Sequence, residues 1–128
     1  MSKYVLDASA VLALLNQESG KDRVAPLLSD SVINTVNYCE VIGKLIDAGV
    51  PENISRESIH LLGIEVIDFD ADLAYLAATL RTKTKQLGLS LGDRSCLALG
   101  LKRHNTVVTA ERSWAKLNIG VKIDLIRS

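Results

Sequence analysis

Apolar and polar residues follow two rhythms along the chain. Short apolar runs bounded by polar or turn residues read as strands at 3–6, 31–35, 64–67, 106–109 and 121–125. Between them, apolar residues recur at helical spacing. Ser9 caps a helix through about Asn16, and 19–28 is a second helical stretch whose regularity Pro26 limits. A helix over 36–48 is stopped by Gly49 and Pro51, and another covers 52–62. Asp70 caps a long helix that carries Leu73, Leu76, Ala77, Leu80 and Leu87 and stops at Gly88. Ser90 caps the next helix, which runs to about Arg103, and a short helix covers 112–117.

Strands and helices alternate throughout. The expected fold class is therefore α/β, with a mostly parallel central sheet and helices on both faces. No internal repeat, low-complexity segment or linker interrupts the pattern, so residues 1–128 read as a single domain. Hydrophobic residues make up 48% and aromatic residues only 4%, so the core must be built from Leu, Val, Ile and Ala.

Formal net charge is zero, so no overall basic field draws the protein to nucleic acid. Any such attraction must come from a local patch or from bound cations. Cys39 and Cys96 lack CxxC spacing, which points away from zinc and disulfide frameworks and fits a reducing cytoplasm. The longest apolar run, Ala8–Leu15, is too short to span a bilayer and is flanked too closely by polar residues for a signal peptide. A cytoplasmic protein without a membrane segment is expected.

In an open parallel sheet, functional groups collect beyond the carboxyl ends of the strands. Asp7 stands there after the first strand, and Glu111 stands two residues past 106–109. Asp93 lies in the first turn of the helix capped by Ser90 and shares a face with Cys96, Leu97, Gly100 and Leu101. A carboxylate turned toward a core needs a cation or several donors. The alternative is a capping box, with Asp93 bonded to the Ser90 backbone N–H. Ser9 either caps its helix or orients Asp7. Glu40 points away from the apolar stripe Tyr38, Val41, Ile42, Leu45 and Ile46, so periodicity makes it a solvated or capping residue. His60 and His104 stand beside no nucleophile, and no P-loop, GxGxxG or GxSxG follows a strand. Acids remain, and clustered carboxylates suit Mg²⁺ or Mn²⁺.

Four segments in this order, Val5-Leu6-Asp7-Ala8-Ser9-Ala10, Asn37-Tyr38-Cys39-Glu40-Val41, Leu89-Ser90-Leu91-Gly92-Asp93 and Val107-Val108-Thr109-Ala110-Glu111-Arg112, resemble the PIN-domain family, and within it the VapC-type toxins. The resemblance covers essentially the whole chain. It implies a small α/β/α sandwich and an Mg²⁺- or Mn²⁺-dependent endoribonuclease, the toxin of a type II toxin–antitoxin pair. It also implies an RNA substrate, a small antitoxin partner and a homodimer. Carried onto matching positions, the acids are Asp7, Glu40, Asp93 and Glu111. Asp7 and Asp93 are the expected direct ligands, Glu40 and Glu111 lie farther out or complete a second site, and Ser9, Thr109 and Arg112 support them. Glu111 departs from the family, which usually has aspartate there. The resemblance thus replaces the solvated reading of Glu40 with a functional one.

Two other readings compete. A phosphoacceptor receiver domain has similar length and an acidic pocket, but Asp7 is followed by Ala8 rather than a second acid. A PIN-like domain that has lost catalysis and survives as a binding module is the other. Arg81, Lys83 and Lys85 form a basic run that reads as a solvated helix face; Lys102, Arg103 and Arg112 are other candidate phosphate contacts, and of these Arg112 stands next to a predicted site acid.

Overall fold

The computed structural model describes residues 2–128. Among the described residues, the strands are β1 (Tyr4–Leu6), β2 (Ser31–Asn34), β3 (Glu65–Ile67), β4 (Thr106–Thr109) and β5 (Ile123–Leu125). The helices are α1 (Ala8–Leu15), α2 (Lys21–Val24), α3 (Thr35–Asp47), α4 (Glu52–His60), α5 (Ala71–Thr84) and α6 (Leu91–Arg103). The five strands form one sheet in the order β3-β2-β1-β4-β5, and every neighbouring pair is parallel. The expected α/β/α sandwich is thus the observed fold, with a sheet that is parallel throughout.

Side chains of the central strands alternate between two cores, because successive Cβ atoms point to opposite faces. Leu6, Ile33 and Val108 join one cluster with Ala10, Val11, Val41 and Leu45 from α1 and α3. Val5, Val32 and Val107 join the other, with Leu73, Ala77 and Leu80 of α5, Cys96 to Leu99 of α6, and Trp114. Helix α6 is the central element of that second layer, and its residues Ser95 to Gly100 are all buried. Gly100 lets it lie against the sheet, since a Cβ there would stand 2.5 Å from Val107 Cγ2.

The structure revises several boundaries. The stretch expected as a helix over 19–28 is the short α2 followed by a 3₁₀ segment, Ala25–Asp30, with Pro26 in its first turn; proline's fixed φ and missing N–H favour that change. Residues 112–117 are also 3₁₀, Arg112–Lys116. Asp7, not Ser9, is the N-cap of α1: its carboxylate accepts the Ala10 N–H. Thr35 begins α3 rather than ending β2, because Asn34 caps that helix through the Asn37 N–H.

A buried acid and its neighbours at the switch point

The sheet order reverses direction between β1 and β4. Connections from β1 run to one side through β2 and β3, and the chain then crosses to β4 and β5 on the other side. Crevices at such a reversal lie beyond the carboxyl ends of the two central strands. Asp7 follows β1 directly, and its N–H still bonds Val108 O of β4 at 3.2 Å. Its side chain continues the alternation toward the α6 face, where Thr109 and Asn34 also end their strands. All three polar residues are buried.

The Asp7 carboxylate is held by three donors. Oδ1 accepts from the Ala10 N–H at 2.9 Å and the Ser9 hydroxyl at 2.7 Å. Oδ2 accepts from the Thr109 hydroxyl at 2.6 Å. These donors are themselves fixed: the Ser9 oxygen accepts the Ala110 N–H at 2.9 Å, and Thr109 Oγ1 accepts the Glu111 N–H at 3.0 Å. Ser9 therefore orients Asp7 rather than capping α1. Burial nevertheless raises the Asp7 pKa from 3.8 to about 6, against the lowering effect of these hydrogen bonds and with a further push from the Asp93 charge.

Asp93 adopts the capping-box geometry. Its N–H bonds Ser90 Oγ at 3.2 Å, and its Oδ2 accepts the Ser90 N–H at 3.0 Å. Capping and proximity to Asp7 are compatible, because the first turn of α6 sits over the ends of β1 and β2. Glu40 reaches the same place from the first turns of α3. Its Oε1 accepts from Asn37 Nδ2 at 2.8 Å, and its carboxylate lies where a Cβ on Gly92 would be. Glycine at 92 is thus what lets the acid of α3 approach the N-terminus of α6.

Beneath the three acids lies Cys96. Burial pushes its thiol pKa well up, and the charges of Asp7, Asp93 and Glu40 push it further. Those three acids therefore share one neighbourhood. Glu111 is linked to it only through its backbone N–H on Thr109; its side chain is exposed and makes no cap bond. Arg112 beside it is exposed as well.

A second buried layer was not picked out in the sequence. Asn34 Nδ2 donates to Asn37 Oδ1 at 2.9 Å, and Asn37 Nδ2 also donates to Gly92 O at 3.1 Å. Ser95 Oγ donates to Gly92 O at 2.8 Å. This network ties α3, α6 and the end of β2 together beneath Glu40. Its only sequence signal is polar side chains where strand alternation and the α6 stripe place core positions.

The donor set is all carboxylate oxygen, which fits a hard divalent cation. The acids do not stand as a closed cage: among the described residues no three His, Cys, Asp or Glu side chains are grouped for metal ligation. Each is satisfied locally instead, Asp7 by Ser9, Ala10 and Thr109, Asp93 by Ser90, and Glu40 by Asn37. Their chemistry and their shared neighbourhood around Cys96 fit such a cation.

The receiver-domain reading fails on topology. Receiver domains have strand order 2-1-3-4-5, whereas this sheet runs β3-β2-β1-β4-β5.

Comparison with known proteins agrees with this geometry. The PIN-domain family model matches residues 4–119. No curated protein sequence matches the chain. Among solved structures, DNA-bound VapBC from Salmonella typhimurium is similar with a TM-score of 0.76 at 19% identity, covering 98% of this chain and 99% of that one. VapBC2 from Rickettsia felis, bound to a promoter DNA fragment, has a TM-score of 0.73 at 17% identity, covering 94% and 96%. VapBC-5 from Mycobacterium tuberculosis, a member of the VapBC family of toxin–antitoxin systems, has a TM-score of 0.63 at 22% identity and covers 100% of both chains. At these identities the likeness is one of fold.

Proposed function

The chain belongs to the PIN-domain family, and from that premise we propose that it is an Mg²⁺- or Mn²⁺-dependent endoribonuclease, the toxin of a type II toxin–antitoxin pair. The observation that carries the reading is Asp7: a buried carboxylate at the switch point, held by three donors, whose charge meets those of Asp93 and Glu40 around Cys96. The charge of Asp93 adds to the raised pKa of Asp7, and a hard divalent cation would relieve that repulsion.

Asp7 and Asp93 would hold the cation, with Glu40 near them and Glu111 at the margin. When bound there, such a cation acidifies water and offsets charge that grows on the phosphorus oxygens of RNA. The chain's own part is positional. Ser9 and Thr109 hold the Asp7 carboxylate in one orientation, so little reorganisation is needed when substrate arrives. The Asn37 amide aims Glu40 across the mouth of the site, and Arg112 supplies a cation for a flanking phosphate.

The proposed partner is a small antitoxin, whose arginine pairs with the acids. Leu45 is buried in the core, so the antitoxin's apolar anchors would lie in the open groove between α3 and α4. That cavity of about 570 Å³ is lined by Tyr38, Ile42, Ile46 and Arg56. The homodimer of the resemblance is proposed on similar ground, since Ile54, Leu61 and Tyr75 are exposed apolar residues. Among the described residues no helix is long and apolar enough to cross a membrane. Cys39 and Cys96 are both free, which suits action in the reducing cytoplasm.

The test is cleavage of RNA by purified protein with Mg²⁺ or Mn²⁺, its arrest by EDTA, and its loss in Asp93→Asn. Full cleavage in chelator with trace metal removed would refute the metal mechanism. Folded protein that binds RNA without cutting it under any metal would leave the binding-module reading instead.

A further inference from the structure

We propose that two adjoining cavities at the end of α5 form the groove that holds the phosphate backbone of the RNA substrate as it enters the acidic site. The proposal rests on the ribonuclease reading for the identity of its ligand. The first cavity, about 410 Å³, is lined by Arg81, Lys85 and Arg94. The second, about 460 Å³, is lined by Lys83, Lys85 and Lys116 and shares Thr82 and Thr84 with the first. No Asp or Glu lines either one among the described residues. None of these five cations is in an ion pair there, the two salt bridges being Arg23–Asp124 and Arg127–Glu18.

In a chain of zero net charge, five cations without ion-pair partners around two adjoining cavities make a local field that favours a polyanion. The basic run at 81–85 is thus more than a solvated helix face. Folding adds Arg94 from α6 and Lys116 from the segment after β4, which no local reading of the sequence joins to it.

The first cavity flanks the start of α6, the helix whose first turn carries Asp93. Leu89 of the first cavity precedes Ser90, whose N–H bonds Asp93, and Arg94 follows Asp93 directly. Arg94 is anchored, donating from one guanidinium nitrogen to Ala77 O of α5 at 3.1 Å while half-buried. A fixed, planar guanidinium presents its remaining donors in the fork that suits a phosphate. No aromatic side chain lines either cavity, so bases have nothing there to stack on. The groove therefore reads backbone charge, not sequence. Sequence choice has to come from elsewhere on the molecule.

The test measures binding of a fluorescently labelled single-stranded RNA oligomer by anisotropy in EDTA, where cleavage is stopped. The variants are Arg81→Ala/Lys85→Ala, both exposed positions, and a charge-matched control, Lys3→Ala/Lys44→Ala, at exposed positions on the opposite end of the sheet. Two lost phosphate contacts should flatten the dependence of log K on log salt by about 1.4 and weaken binding about 10- to 30-fold near 0.1 M salt. The control should change binding less than about twofold, and in Mg²⁺ the groove variant should raise KM far more than it lowers kcat. Unchanged binding in the groove variant, an equal loss in the control, or no RNA binding by the wild type would each overturn the groove. The two proposals fail separately. RNA bound through these cations but never cut sinks the ribonuclease and leaves the groove; RNA cut with the same KM in wild type and variant sinks the groove and leaves the ribonuclease.

Discussion

Replacing Asp7 with asparagine should make the protein more stable at neutral pH while removing its activity. The Asp7 pKa rises from 3.8 to about 6 on folding, so the folded state binds the proton more tightly than the unfolded chain. Its favourable contribution is fully present below pH 3.8 and is lost as pH rises through about 6. Above both values the ionised carboxylate costs about 3 kcal/mol. Asparagine removes that cost. Its carbonyl oxygen keeps the Ala10 N–H and Ser9 bonds, while its amide must donate to Thr109 Oγ1, reversing the bond that Asp7 accepts there. Losing one charge-assisted bond returns about 1–2 kcal/mol, so the net gain at pH 8 is about 1–2 kcal/mol, or roughly 4–8 °C in Tm for a domain of this size. Near pH 4 wild-type Asp7 is protonated when folded, and the gain should vanish. Urea unfolding of both proteins in EDTA at the two pH values measures this difference. Adding Mg²⁺ at pH 8 should then stabilise the wild type and not the variant, because only the wild type retains the charge that binds it. A variant less stable at pH 8, or an equal change at both pH values, would refute the electrostatic account of Asp7.

Thr109→Val removes the hydroxyl that bonds Asp7 and leaves the Glu111 N–H without its acceptor; it should cost about 2 kcal/mol at pH 8, less near pH 4, and move the Asp7 pKa further upward, as carboxyl NMR titration would report. Gly92→Ala puts a methyl group where the Glu40 carboxylate lies, so cleavage should fall at least about tenfold while Tm changes little, helped by alanine's helix propensity of about 1 kcal/mol over glycine; unchanged kcat/KM would detach Glu40 from the reaction. Glu111→Gln should weaken metal-dependent cleavage and Glu111→Asp should retain most of it with an altered Mg²⁺/Mn²⁺ preference, since Mg²⁺ demands the stricter geometry. Equal metal titrations in wild type and both Glu111 variants would remove that residue from the site.

The fold was legible because its signals are local. Alternating short strands and helices with clear caps at Asp70 and Ser90 point to a parallel sheet, and both caps are formed. Where the reading slipped, two local solutions compete for one residue. Asp7 and Ser9 can each cap α1; Asp7 does so, while the Ser9 oxygen accepts the Ala110 N–H just after β4, a contact 101 residues away in sequence. The 3₁₀ segment after α2 has a local cause instead, Pro26 in its first turn.

The candidate site was legible in a different degree at each acid. Asp7 and Asp93 could be suspected from position, because a strand end and a first helical turn are where sheet topology and helix geometry concentrate function. Glu40 could not. Its helical phase puts it on the exposed face of α3, and exposed it is; what turns that face toward Asp93 is the crossing of α3 and α6, fixed by Asn37 on Gly92 O and by the missing side chain at Gly92. Periodicity describes a helix against its nearest layer, whereas Glu40 stands near the start of α3, where α3 meets the first turn of α6 beyond the sheet. The same geometry explains why the three acids can face one another without a closed cage. Each is anchored by its own helix start: Asp7 caps α1, Asp93 completes the capping box of α6, and Glu40 leans on Asn37, whose N–H Asn34 caps. Helix N-termini favour negative charge, so the fold can bring three carboxylates together at a cost met largely by capping. The unrelieved part falls on Asp7, the one buried acid of the three.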